Sequence, residues 1–149
     1  MIDLTALMTR MAACRVCEGK IPEPNPVFQL SATARLIVIG QAPGTKVHAS
    51  GIPWNDLSGD TLRRWMGLDR EAFYDRSRVE LVLLVGSYAH KYYLKASGSV
   101  TDTVGRWATF GPRFFPVVHP SPRNKRWLKT NPWFEDEVVP ALRQRIQEL

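Results

Sequence analysis

Two short loops carry residue types that could do chemistry together. Val117 to Arg126 reads VVHPSPRNKR. There an apolar run stops at a histidine, two prolines stiffen the chain beyond it, and a hydroxyl and three cations lie among the next few positions. At such a position His119 can donate a hydrogen bond to an oxygen that turns negative during reaction. Ser121 and Asn124 can bond phosphate oxygens, and Arg123, Lys125 and Arg126 can neutralise them. Leu36 to Gly44 reads LIVIGQAPG, a second apolar run that breaks into a Gly/Pro loop. Its Gln41 can orient a water, and Gly40 and Gly44 allow backbone to approach a ligand closely. Trp54, ten residues beyond that loop, offers a flat face to a base.

Loops like these need strands behind them. Arg35–Ile39, Leu81–Val85 and Phe114–Val118 are short, continuous apolar runs, as strands buried on both faces should be. Between them lie helical patterns. Ser58-Gly59-Asp60 opens one that buries Leu62, Trp65 and Met66 and stops near Gly67. Asp69 caps a turn through Phe73, Ser87 caps the helix carrying Tyr88, Tyr92 and Leu94, and Thr101 caps another reaching Trp107. Asn131-Pro132 begins a last helix with acids first and arginines late, bent by Pro140. Residues 3–13 form an amphipathic helix capped by Asp3. Alternating strands and helices predict an α/β fold, a three-layer α/β/α sandwich on a short parallel sheet. In such sheets ligands bind beyond the carboxyl ends of the strands, where both loops fall.

At 149 residues the chain fits a single domain, residues 1–149, within the common ~100–150 range. Its net charge of +6 favours polyanionic partners, nucleic acid before an anionic membrane surface. No apolar run nears the ~20 residues of a spanning helix, so no membrane partner is expected. The opening MIDLTALMTRMAAC has no cationic leader and does not read as a secretory signal. The expectation is a cytoplasmic monomer. Two cysteines, Cys14 and Cys17, give no disulfide framework.

Taken in order, GQAPG (Gly40–Gly44), VGSYAHKYYL (Val85–Leu94) and HPSP (His119–Pro122) resemble the uracil-DNA glycosylase superfamily. Trp54 sits where an aromatic of that family stacks on the extruded base. The runs VHASGIPWNDLSGDTLRRWMGL and NPWFEDEVVPALR look like a bacterial branch with no well-established substrate. The resemblance implies a DNA-repair hydrolase that cleaves the N-glycosidic bond of a damaged or deaminated, uracil-like base in DNA. Gln41 and His119 would be its catalytic residues, and Gly40, Ala42, Pro43, Gly44 and Trp54 would bind the base. Ser121, Arg123, Asn124, Lys125 and Arg126 would hold the DNA. The alternatives are a catalytically silent nucleic-acid-binding module using the same groove, and a hydrolase of free nucleotides or nucleosides.

The chain departs from the family in three places. Ala42 stands where the best-known members have the aspartate of GQDP, and Gln41 where the iron–sulfur members have the glutamate of GEAPG. A glutamine cannot take a proton from water, and losing general-base help costs about 10²–10⁴ in rate. Asp56 and Asp60 are possible substitutes. Second, DRSR runs almost directly into VELVLLV, so the family's second strand has no counterpart between Arg78 and Val79. Its loss would leave one edge of the first strand unpaired and one face of the core thin. Third, Cys14-x-x-Cys17 matches half of a cluster site. No metal or cofactor is expected, an iron–sulfur cluster being possible only with ligands that the sequence lacks.

The same residues have plainer readings. GQAPG fits an ordinary strand-to-helix turn, His119 a structural histidine, Trp54 a cover for the core, and RNKR a solvated turn. His48 and His90 read as surface residues, and Trp127 and Trp133 as packing for the last helix.

Overall fold

The computed structural model describes residues 3–34, 36–74 and 81–149. Three parallel strands, β1 (Leu36–Ile39), β2 (Leu81–Val85) and β3 (Phe114–Val117), lie in the order β1-β2-β3. Leu36 pairs with Leu81 and Ile39 with Leu84; Val82 pairs with Phe114 and Val85 with Val117. The expected parallel arrangement is what is found.

Register decides the core. Leu36, Val38, Leu81, Leu83, Val85, Phe115 and Val117 share one face and join a cluster with Leu62, Trp65 and Met66. Those three come from α3 (Leu57–Met66), and Val139 and Leu142 come from α8 (Val139–Gln147). On the opposite face α5 (Gly86–Leu94) packs on β2 and buries Ala89 and His90. This second layer thins towards β1, where Ile37 is 45% exposed. Among the described residues no strand pairs with the outer edge of β1. The expected gap between Arg78 and Val79 lies outside the described residues.

Capping follows the side chains available. Asp3 caps α1 (Leu4–Ala12), and Asp69 accepts from the Ala72 amide at the start of α4 (Arg70–Tyr74). The short α2 (Thr45–Ser50) starts from Gly44, which has no side chain to cap it. Three starts differ from expectation. Asp56, not Ser58, caps α3; Ser99, not Thr101, caps α6 (Val100–Gly105) through a capping box with Asp102. Ser87 lies inside α5, which starts directly from β2 at Gly86. The last helix also differs. A π-helical turn, Phe134–Val138, precedes α8. Pro140 has no amide hydrogen, and its ring would press on a carbonyl four residues back. The wider turn just before it takes up that conflict. As expected, Trp127 and Trp133 pack with Phe134 at the base of this helix.

Candidate active site

The carboxyl ends of β1 and β3 lie on the same side of the sheet, so the loops after them meet. A Cβ added to Gly40 would lie 2.8 Å from the Trp54 indole, and the Trp54 and His119 rings are 6.1 Å apart. Gly86, the first residue of α5, fits under His119: a Cβ there would be 3.5 Å from that of the histidine. Gly40, Trp54, Gly86 and His119 therefore stand together at the mouths of all three strands.

Trp54 is held in a conformation it would not choose. Its φ of +58° lies in the left-handed region, at about 1–3 kcal/mol for a bulky residue. Its neighbours hold it there. The buried Arg63 donates to the Trp54 carbonyl (3.2 Å) and pairs with Asp60. The Tyr74 hydroxyl donates to the Pro53 carbonyl at 2.7 Å. Gly59 presses on the same peptide so tightly that a Cβ would fall 1.7 Å from the Trp54 oxygen. The indole is half-buried against the core cluster, so it covers the core and still presents part of its ring.

The histidine loop is equally constrained. The Ser121 amide donates to His119 Nδ1 (3.2 Å), which makes that nitrogen the acceptor and puts the proton of the neutral ring on Nε2. Among the described residues Nε2 has no partner, yet it is not sealed from solvent. Burial pushes the His119 pKa down, and the charge of Asp56 partly offsets that. The Asn124 side chain donates to the His119 carbonyl at 2.7 Å, tying down the loop. That amide group is thereby committed to the protein, so Asn124 shapes the loop whatever it also touches. Ser121 caps the 3₁₀ turn Pro122–Asn124 by accepting from the Arg123 amide. Arg123, Lys125 and Arg126 are exposed, on this turn and at the start of α7 (Lys125–Thr130).

In the first loop, Gln41, Ala42, Pro43 and Gly44 are exposed. Gln41 follows Gly40 directly, just past the carboxyl end of β1. Asp56 closes the arrangement. Its Oδ1 accepts from the Gly59 amide (2.9 Å), and its Oδ2 lies against Gly44, where a Cβ would be 3.4 Å away. It is the carboxylate whose charge acts on His119, whereas exposed Asp60 is paired with Arg63. The sequence carried a signal for this: Asp56 stands three residues before the Gly59 amide that it caps.

His90 departs from the expected surface position. It is buried, with Nε2 bonded to the Leu84 carbonyl at 3.1 Å and Nδ1 unpartnered. It anchors α5 to β2 just below the Gly86–His119 contact. Cys14 and Cys17 are exposed free thiols, and the described residues contain no group of three or more His, Cys, Asp or Glu able to hold a metal. Two thiols do not fit a four-ligand centre. A separate hollow of about 260 Å³ lies between Trp107, Phe114 and Arg145, at the amino end of β3. It lies at the other end of the strands from these loops.

The model of the Uracil DNA glycosylase superfamily matches residues 27–80 and 75–143, which include every strand and both loops. The chain belongs to the uracil DNA glycosylase superfamily. One matched segment gives way to the other around Arg78 and Val79. Membership accounts for the α/β fold and suggests DNA glycosylase-like chemistry at the mouth of the sheet. No helix among the described residues is long and apolar enough to cross a membrane.

Proposed function

We propose that this chain removes a damaged or deaminated, uracil-like base from DNA by hydrolysing its N-glycosidic bond. One observation carries the reading. His119 accepts from the Ser121 amide at Nδ1, so the neutral ring carries its proton on Nε2, which has no partner among the described residues, and the ring stands beside the Trp54 indole. A base that leaves from carbon needs such a donor for the oxygen that becomes negative, and a preorganised donor meets that need without rearrangement. Trp54 stacks on the extruded base, which the enzyme must take out of the helix to reach. Water attacks the sugar carbon, the C–N bond breaks, and its electron pair leaves with the base. Gln41 orients that water and Asp56 accepts its proton, replacing the carboxylate that the first loop lacks. Ser121, Arg123, Lys125 and Arg126 hold the flanking phosphates.

The test is an abasic-site assay of the intact protein on single- and double-stranded oligonucleotides carrying uracil and related lesions. Base release that disappears in His119→Ala is expected. Binding without release from any lesion would leave the second reading, a silent nucleic-acid-binding module, which the absence of a carboxylate at Gln41 and Ala42 favours. Cleavage of free nucleotides with no need for the basic loop would point to a monomer hydrolase.

A further inference from the structure

The outer face of α5 has no role in the site described above, yet its residues are unusual for a solvated helix. Tyr88 is 71% exposed and Tyr92 is 69% exposed. Tyr88, Lys91 and Tyr92 share one helical stripe, i, i+3 and i+4, and Lys95 is the left-handed residue that ends the helix beside it. Among the described residues Tyr88 makes no ring contact or hydrogen bond. Tyr92 is braced edge-on by Tyr93, their centroids 4.9 Å apart, while the Lys95 ammonium lies 5.1 Å from the Tyr92 ring. From Gly86 to Thr101 the sequence has two lysines and no carboxylate.

The stripe also starts at the right place. Gly86 touches His119, and Tyr88 follows two residues later. Tyr93 reaches Phe114, at the amino end of β3, so α5 runs away from the site along the sheet. Tyr88 and Tyr92 are separated by about 6 Å of helix rise. Two exposed rings one helical turn apart offer faces on which bases can stack, and the lysines beside them suit a polyanion.

We propose that this face of α5 is a stacking track for unpaired nucleobases of the strand that leaves the site. Tyr88 and Tyr92 would take the bases, and Lys91 and Lys95 the phosphates. Exposed rings interleaved with cations bind a single strand without regard to sequence. Paired bases are already stacked on one another and offer no face, so the track favours single-stranded over duplex substrate. The inference rests on the DNA reading of the site and adds the form of DNA to it.

Fluorescence anisotropy of a labelled oligothymidylate and a labelled duplex, with the intact chain, tests this. Tyr88→Ala with Tyr92→Ala should weaken single-strand binding by about 25-fold or more, about fivefold or more for each base stack lost. The salt dependence should not change, because no charge is removed. Tyr88→Phe with Tyr92→Phe should restore the affinity, since the ring face is kept. Unchanged single-strand binding in the alanine variant would overturn the track while leaving the glycosylase reading intact. Equal weakening on duplex, or a failure of phenylalanine to restore binding, would overturn the stacking assignment. Intact protein that binds no DNA at all would overturn both readings. Dimer formation lost with the tyrosines would reassign the face to a second copy of the chain.

Discussion

Asp56 has two tasks that one conservative substitution separates. Its Oδ1 caps α3, and its charge acts on His119. Asparagine caps about as well as aspartate, whereas alanine loses ~1 kcal/mol at such a position. Asp56→Asn should therefore keep the melting temperature and lose about 10²–10⁴ in base release if Asp56 is the proton acceptor. Activity that survives it would return that role to the water itself or to another group. Gln41→Glu is the complementary change, placing a carboxylate where related enzymes carry one. It should raise the rate of the intact protein and restore part of the activity lost in Asp56→Asn. His119→Ala should cost about 10²–10³, more than any change in the first loop, and Gln41→Glu should not restore it, because the donor to the leaving base is gone. Gly59 is of a different kind. Its missing side chain makes room for the Trp54 peptide, so Gly59→Ala should cost about 1–3 kcal/mol or more and show in the melting temperature as well as in activity.

Two histidines tie elements together at the mouths of the strands, and both make the fold sensitive to acid. Burial is the main cause that holds His90 and His119 below the ordinary histidine value of 6.5. The Leu84 and Val117 carbonyls pull His90 back up, as Asp56 does His119. Between each lowered value and 6.5 the unfolded chain binds more protons than the folded one, so stability rises with pH there. It is lost as pH falls below 6.5 through the folded values. Denaturant midpoints measured across this window should drop towards acid, and the drop should be shallower in His90→Gln. Glutamine can still donate to the Leu84 carbonyl but cannot titrate, so an unchanged slope would place the titration elsewhere. His90 also shows where the sequence was silent. In GSYAHKYYL it lies between Ala89 and Lys91, and only the seating of α5 on β2 decides that it faces inward. The strands were legible because a parallel strand buried on both faces is apolar at every position. The His119 loop was legible because prolines limit what it can do. Trp54 could be found by its distance from GQAPG, but its left-handed backbone could not. That conformation is imposed by Arg63, Tyr74 and Gly59, which reach it from other turns. Asp56 and Asp60 could both be named from the sequence, but only the fold separates them, placing Asp56 against Gly44 and pairing Asp60 with Arg63.

At the scale of the whole molecule, the three strands of the described residues bring their loops to one end of the sheet, and the cations beside those loops form its rim. Phosphate contacts supply a large share of affinity for DNA, so the charges around the site matter. Arg123, Lys125 and Arg126 are exposed directly after the His119 loop, and among the described residues none of the three is in an ion pair. Cations without internal partners are free to displace the counterions condensed on DNA. Each phosphate so neutralised adds about 0.9 to the slope of log affinity against log salt on duplex DNA, and about 0.7 on a single strand. Replacing all three by alanine should therefore flatten that slope by up to about 2–3. All three side chains are solvent-facing, so the melting temperature should hardly move. The comparison with the α5 tyrosines is informative, because loss of the rim should change the slope and loss of the rings should not. A slope that stays the same after all three cations are removed would place the DNA on another surface. Gln41, Trp54 and His119 would then be a cleft without a path for the strand, and the glycosylase reading of that cleft would fail with it.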